Sequence, residues 1–455
     1  VIEDERIEFM NSRDETHGRY VLYWMQASQR VRFNHALEYA AQRANASGLP
    51  VVVCFGLTDA FPEANLRHYT FMLEGLREVA RDLEARRIRF VPRRGSPEKV
   101  VTEMAKDAAL VVTDRGYLHI QKQWRRHVAR HAPCQVVQVE SDVVVPVETA
   151  SNKEEYAART IRPKIMKQVD RFLRPLGTTR VRKNSLGMRF DTLDLSHLDL
   201  DVDRSVGRVS AYIGGASEAK RLLDDFIRSK LDRCDAKRSD PSADFESHMS
   251  PYLHFGQISP VEIALRVKNA RARGAAKDVF LEELIVRREL SVNFVHNNRR
   301  YHSYRALPGW ARTTLRRHAS DKRDYIYSRR QMEEARTHDR YWNAAMHEMR
   351  LTGKMHNTMR MYWGKKILEW SPTPEVAFRR TLYLNNKYFL DGRDPNSFTG
   401  VAWCFGKHDR PWAERDVFGT VRYMNAKGLE RKFDIDVYVC RIDALARTLT
   451  RKGDA

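Results

Sequence analysis

From Tyr20 to Ser141 short apolar runs alternate with stretches of helical period. The runs are YVLYWM from Tyr20, PVVVCFGL from Pro50, IRFVPRRG from Ile88, ALVVTDRG from Ala109 and CQVVQVES from Cys134. Runs of this length with few polar interruptions suit strands covered on both faces. Between them lie amphipathic segments such as ANLRHYTFMLEGLREVARDLEARR, in which apolar residues return every three or four positions. The alternation predicts a doubly wound parallel α/β domain over 1–141. Residues 142–216 mix a helical piece, TIRPKIMKQVDRFL, with the acidic, irregular DTLDLSHLDLDVDRS. They read as a long interdomain connector wrapped against its neighbours. From 217 to 455 the patterns are almost all helical, including SEAKRLLDDFIRSKLDR, KDVFLEELIVRRELSVNF, KMHNTMRMYWGKKILEW and TPEVAFRRTLYLNNKYF, so the second domain is expected to be all-α. No internal repeat is evident.

Composition narrows the partners. The chain of 455 residues carries 80 Lys and Arg against 59 Asp and Glu, a formal charge of +21, which favours a polyanion through long-range attraction and counterion release. Nucleic acid is therefore the expected partner. No apolar run approaches the roughly 20 residues that span a bilayer, and the first residues lack a signal-peptide pattern, so a cytoplasmic or nuclear protein is expected. Cys54, Cys134, Cys234, Cys404 and Cys440 lie far apart without CxxC or paired histidines, so neither a metal site nor a disulfide framework is expected. No GxGxxG follows the first strand, and neither a Walker A loop nor HxGH occurs. The fold class alone names no activity.

Specific strings do more. MSPYLHFGQISP (249–260) places Ser250, Ser259 and the backbone around Gly256 where they could donate to phosphate oxygens, with Pro260 opening the next helix. Alone, such a Ser-Pro turn is equally a helix cap. LTGKMHNTMRMYWGKKILEW (351–370) puts Trp363 and Trp370 seven residues apart, on one face of a continuous helix and roughly 10 Å apart along its axis. Packing is the ordinary role of such aromatics, and electron hopping the chemical one. Glu283 in FLEELIVRREL stands four residues before Arg287, as a surface ion pair would. Asn385 and Asn386 in LYLNNKYF would serve equally as a helix end. VAWCFGKHDRPWAERDVFGTVRYMN (401–425) mixes aromatic and basic residues as a phosphate-gripping surface does; a solvated charged loop is the competing account.

With these strings on an α/β domain followed by a basic helical one, the chain resembles the photolyase and cryptochrome family over nearly its whole length, and its class II branch most specifically over 234–440. The resemblance implies light-driven repair of cyclobutane pyrimidine dimers by electron transfer from FAD, bound as the reduced, anionic hydroquinone, to a dimer flipped out of UV-damaged DNA, preferably duplex. A cryptochrome-like photoreceptor is the alternative. The resemblance to the class II branch implies FAD contacts from Cys234, Ser247, His248, Met249, Ser250, Gln257, Asn357, Arg360, Asn385 and Asp391, with Arg360 and Asp391 bracing the folded cofactor and Asn385 facing flavin N5. Cys234 stands where relatives carry a tyrosine. The catalytic positions are Glu283 and Asn385. Trp342, Trp363 and Trp370 match the electron relay. Arg238, Glu283, Met361 and Trp403 match the lesion pocket, and Lys407, Arg410 and Trp412 are expected on DNA. YWMQASQRVRFNHAL, past the first strand, resembles a site where family members can hold an antenna chromophore such as a deazaflavin or folate. The protein is expected to act as a monomer.

Overall fold

The five apolar runs form the parallel part of one six-stranded sheet in a computed structural model, which describes residues 2–453. The strands are β1 (Ile7–Phe9), β2 (Tyr20–Trp24), β3 (Val51–Leu57), β4 (Arg89–Arg94), β5 (Ala108–Asp114) and β6 (Gln135–Val139), in the order β1-β6-β5-β2-β3-β4. Strands β2, β3 and β5 are buried at every position, which is why they read as unbroken apolar runs. The parallel expectation needs one correction. β1 joins the edge antiparallel to β6, pairing Ile7 with Val139 and Phe9 with Val137. Three residues with an exposed Phe9 carry no periodicity that the sequence could reveal.

The chain leaves β2 towards β3 and β4 on one side and returns to β5 and β6 on the other, so a switch point lies at β2, where such sheets open a crevice beyond their strand ends. Segment 173–215 runs along this layer with little regular structure. Ser185 Oγ donates to Val51 O at 2.6 Å, and Leu195 and Leu200 join the core under β2 and β3. The helix Ala158–Phe172 instead packs among the helices of the C-terminal half, in the cluster holding Leu223, Phe226 and Tyr252.

Helices then dominate the C-terminal half. Its second cluster, built around Trp342, Trp363 and Trp370, receives the helices Arg340–Thr352, Asn357–Glu369, Pro374–Tyr388 and Pro395–Cys404. The α/β layer closes the ends of two of them. A helix leaves its last carbonyls without internal partners. Those after Pro374–Tyr388 are met by Asn65 Nδ2 on Lys387 O (2.8 Å), Arg67 Nη1 on Tyr388 O (2.7 Å) and His68 Nε2 on Phe389 O (3.0 Å). Because His68 Nδ1 accepts from the Asn65 amide, Nε2 carries the proton. Arg67 also reaches Met349 O (3.1 Å) and Arg350 O (2.5 Å), in the last turn of Arg340–Thr352. The first turn of one layer thus fixes the helices that carry Trp342 and Asn385.

Candidate functional site

Asn385 sits one turn from the capped end of its helix and is fully buried. Its Oδ1 accepts from Arg360 Nη2 at 2.7 Å, and its Nδ2 donates to Ser397 Oγ (2.7 Å) and Asn386 Oδ1 (2.9 Å). Arg360, from the first turn of Asn357–Glu369, donates through Nη1 to both oxygens of Asp391 (3.1 and 3.2 Å) and through Nη2 to Ser397 Oγ (3.0 Å), and lies 3.9 Å over the Phe389 ring. Arg360, Asn385 and Asp391, predicted from three separate strings, therefore meet. Ser397 joins them; a lone serine in DPNSFTG gave no signal of this. The ion pair is largely shielded, 20% and 15% exposed, so its bonds are stronger than those of a surface pair.

The three tryptophans adjoin this cluster. Trp363 faces Phe389 edge-on at 6.2 Å, and its buried indole Nε1 has no partner. Trp342 Nε1 donates to Trp363 O at 3.0 Å, and the Trp342 ring stands 5.7 Å from Trp370. The order in space is Trp363, Trp342, Trp370, with the residue from the preceding helix in the middle. Trp370 is not inside the helix, as the seven-residue spacing predicted, but caps it. Beyond it lie Tyr327 (5.4 Å), His338 (5.3 Å) and the half-exposed Tyr325, stacked on His338 at 3.8 Å.

A second grouping lies in front of the first. Residues Glu282–Arg287 form a π-helical turn, the wider winding that recurs at functional sites, between the helices Gly274–Leu281 and Arg288–Asn297. The pairing read from i,i+4 spacing does not form: Arg287 bonds Glu282 (3.3 Å), while Glu283 turns to Arg238, whose Nη2 donates to Oε1 at 2.8 Å. At 37% and 42% exposure both partners face an open space. Arg287 lies 5.6 Å over Trp403, which meets His408 edge-on at 5.6 Å. Burial pushes the His408 imidazolium down to about 3, so the ring is neutral, donating through Nδ1 to Tyr156 O at 2.7 Å. The two groupings share a wall: Met361 follows Arg360, and Thr358 Oγ1 donates to Ser239 O at 2.7 Å.

Other residues expected in these contacts have their polar atoms engaged within the protein. Cys234 lies in the core with its thiol on Ala276 O at 3.4 Å, and burial pushes that thiol up. Gln257 has no exposed surface; its amide joins Gly215 N (2.8 Å) to Phe71 O (3.3 Å), bracing the two layers. Gly256 abuts the other layer, with Ala27 O where a Cβ would stand, and its carbonyl accepts from Arg30. Ser259 is the buried N-cap of Pro260–Lys268, accepting from Val261 N. Lys407, expected on phosphate, is 7% exposed, paired with Glu154 and set over Phe294 at 4.4 Å.

Met249 keeps its side chain in the core. His248 has a left-handed backbone (φ +58°) and both ring nitrogens engaged, by Tyr212 Oη and Asp244 Oδ1. Ser247 and Ser250 are partly exposed, and Asn357 is exposed at the start of its helix, where its amide meets Glu246. Arg410 and Trp412 are exposed together, with Arg410 and Arg422 set over the indole at 5.6 and 4.9 Å. At the sheet's C-terminal edge a cleft is lined by Trp24, Gln26, Gln29, Phe61, Trp124 and Arg393 among others. The buried Gln26 Nε2, Gln29 Oε1 and Arg393 Nε lack partners there. Among the described residues no group of three or more His, Cys, Asp or Glu could hold a metal, and no helix is long and apolar enough to cross a membrane.

An α/β layer with a crevice at its switch point, joined to a helical half that holds a buried tryptophan series, is the fold of photolyases and cryptochromes. A class III photolyase from Agrobacterium tumefaciens aligns with a TM-score of 0.75 at 19% identity, over 94% of this chain and 87% of that one. A photolyase from Sulfolobus tokodaii, solved with two FAD molecules, aligns at 0.69 with 16% identity, over 92% and 89%. Residues 21–180 match the DNA photolyase family model. The deoxyribodipyrimidine photo-lyase of Methanothermobacter thermautotrophicus is 53% identical over 98% of this chain and 99% of its own, and that of Potorous tridactylus 41% over 91% and 79%. The chain belongs to the DNA photolyase family.

Proposed function

We propose that this enzyme is a deoxyribodipyrimidine photo-lyase: it binds UV-damaged DNA, preferably duplex and as a monomer, and splits cyclobutane pyrimidine dimers under light with FAD in its reduced, anionic form. The observation that carries the proposal is the Arg238–Glu283 pair, presented on a π-helical turn beside Trp403 and next to the Arg360, Asn385 and Asp391 cluster. That cluster suits the polar edge of a flat ring: the Ser397 hydroxyl, which accepts from Arg360 and Asn385, keeps its own hydrogen to donate, the Asn385 carbonyl keeps one lone pair to accept, and an unpartnered indole N–H lies close by. When bound, the reduced flavin supplies the excited electron that opens the dimer and receives it back.

Arg360, Asp391, Asn385 and Ser397 would hold the flavin, with Ser250 and Asn357 at its more exposed end. Glu283, kept in place by Arg238, would hold the polar edge of a flipped pyrimidine, and Trp403 and Met361 would bound its faces. Charge developing on the dimer would meet Glu283 as a hydrogen-bonding neighbour already oriented, which lowers the reorganisation the step requires. Trp363, Trp342 and Trp370 would conduct electrons inward. Arg410 and Trp412 would grip phosphate and fill the gap in the duplex. The cleft at the sheet edge, with its unpartnered amides and guanidine nitrogen, would take an antenna chromophore. A DNA substrate locates the enzyme in the cytoplasm, or in the nucleus of a eukaryote.

The test is repair of a thymine-dimer oligonucleotide by purified, reduced protein with and without blue light, with the flavin spectrum recorded alongside. Light-dependent return of thymines is expected; bound flavin without repair would refute the proposal.

A further inference from the structure

We infer that Glu63 and Asn386 are positioning residues that fix which end of the Asn385 amide is offered to the flavin, an inference that rests on the flavin assignment above. The two ends of a side-chain amide have nearly the same shape, so its orientation is decided by partners whose polarity is fixed. This network has fixed polarity at both ends. The Glu63 carboxylate can only accept, and Asn386 Nδ2 donates to its Oε2 at 2.6 Å. Asn386 Oδ1 must then point the other way, where it accepts from the Arg393 backbone N–H (3.2 Å) and Asn385 Nδ2 (2.9 Å). The second hydrogen of Asn385 Nδ2 goes to Ser397 Oγ at 2.7 Å. At the far end Arg360, which can only donate, takes Asn385 Oδ1 at 2.7 Å.

Asn385 is left with no free hydrogen and one carbonyl lone pair. An acceptor favours a partner bearing N–H over one bearing a bare nitrogen. Reduction of a flavin adds an N–H where the oxidised ring has an unprotonated nitrogen, so the network biases the site towards the reduced cofactor. Glu63 comes from the other layer, on the loop between β3 and Leu66–Ala85. It holds a left-handed backbone (φ +58°), a conformation costly for a residue other than glycine. Its neighbours Phe61 and Ala64 wall the cleft at the sheet edge, and Arg393, whose amide secures Asn386, lines the same cleft. One loop therefore serves both sites.

The experiment loads the full chain with FAD and measures, by absorbance against a reference redox dye, the ratio of reduced to oxidised flavin at one fixed potential. Glu63→Lys sets donor against donor and should lower that ratio about fivefold, the equivalent of one hydrogen bond. Glu63→Gln, which keeps an acceptor, should restore it. Asn386→Leu removes both links and should lower the ratio likewise, which supplies the readout if Glu63→Lys fails to hold FAD. A ratio unchanged in Glu63→Lys or Asn386→Leu at full flavin occupancy would overturn the inference while leaving the flavin assignment standing. Folded wild-type protein that takes up no FAD would overturn both.

Discussion

Arg67 gives the sharpest test of how the two layers hold each other. Its guanidinium donates to Met349, Arg350, Tyr388 and Gly207 carbonyls, the last through Nε at 3.2 Å. Bonds from a charged donor contribute about 1.5–3 kcal/mol each, roughly 6–12 kcal/mol for four. Against this, burial pushes the Arg67 cation down to about 10, a desolvation cost of about 3 kcal/mol. Met349 O keeps a bond from Gly353 N, and the exposed Arg350 and Gly207 can be rehydrated, which trims the loss further. Arg67→Met should therefore lower stability by about 3–5 kcal/mol, measured by urea unfolding followed by circular dichroism. Arg67→Lys should recover less than half, because a single ammonium cannot span carbonyls from two helices. A loss below about 1 kcal/mol for Arg67→Met would show that the helix ends find other partners and that the cap described here does not hold them.

Three further outcomes are expected. Trp363→Phe should block photoreduction while pre-reduced enzyme still repairs; its indole N–H has no partner to lose, so unfolding should shift by only about 1–2 kcal/mol. Burial pushes the Lys365 ammonium down to about 8, so between pH 8 and its unfolded value near 10.4 the unfolded chain binds the extra proton and stability rises with pH, by up to about 3 kcal/mol; burial also pushes Lys122 down to about 8 and adds a similar rise, so Lys365→Met should remove about half of the total, compared by denaturant titration from pH 7.5 to 9.5. Arg410→Ala should weaken binding of damaged duplex and reduce the slope of log affinity against log salt by about one, read by fluorescence anisotropy across a salt series.

The apolar runs determined five of the six strands, because a strand buried on both faces leaves a local signature. The helical half was equally legible from its period. The tryptophans, Arg360, Asn385 and Asp391 were singled out by the resemblance of the strings in 342–391 to the family, while their pattern alone read as packing aromatics and a helix end. Tertiary structure decided what those residues touch. Glu283 was four residues from one arginine and bonded another, because a π-helical turn changed the register that i,i+4 spacing assumes. Lys407 had the chemistry to bind phosphate, but Glu154, distant in sequence, took its charge into the interior. Gln257 and Cys234 had suitable positions in their strings, and the meeting of two layers and the packing of a core claimed their polar atoms first. Glu63 gave no signal at all: its role exists only where a loop of one layer reaches the end of a helix in the other. Burial and periodicity are properties of neighbouring residues and are written along the chain, whereas the partner of a polar group is set by whichever segment the fold brings to it.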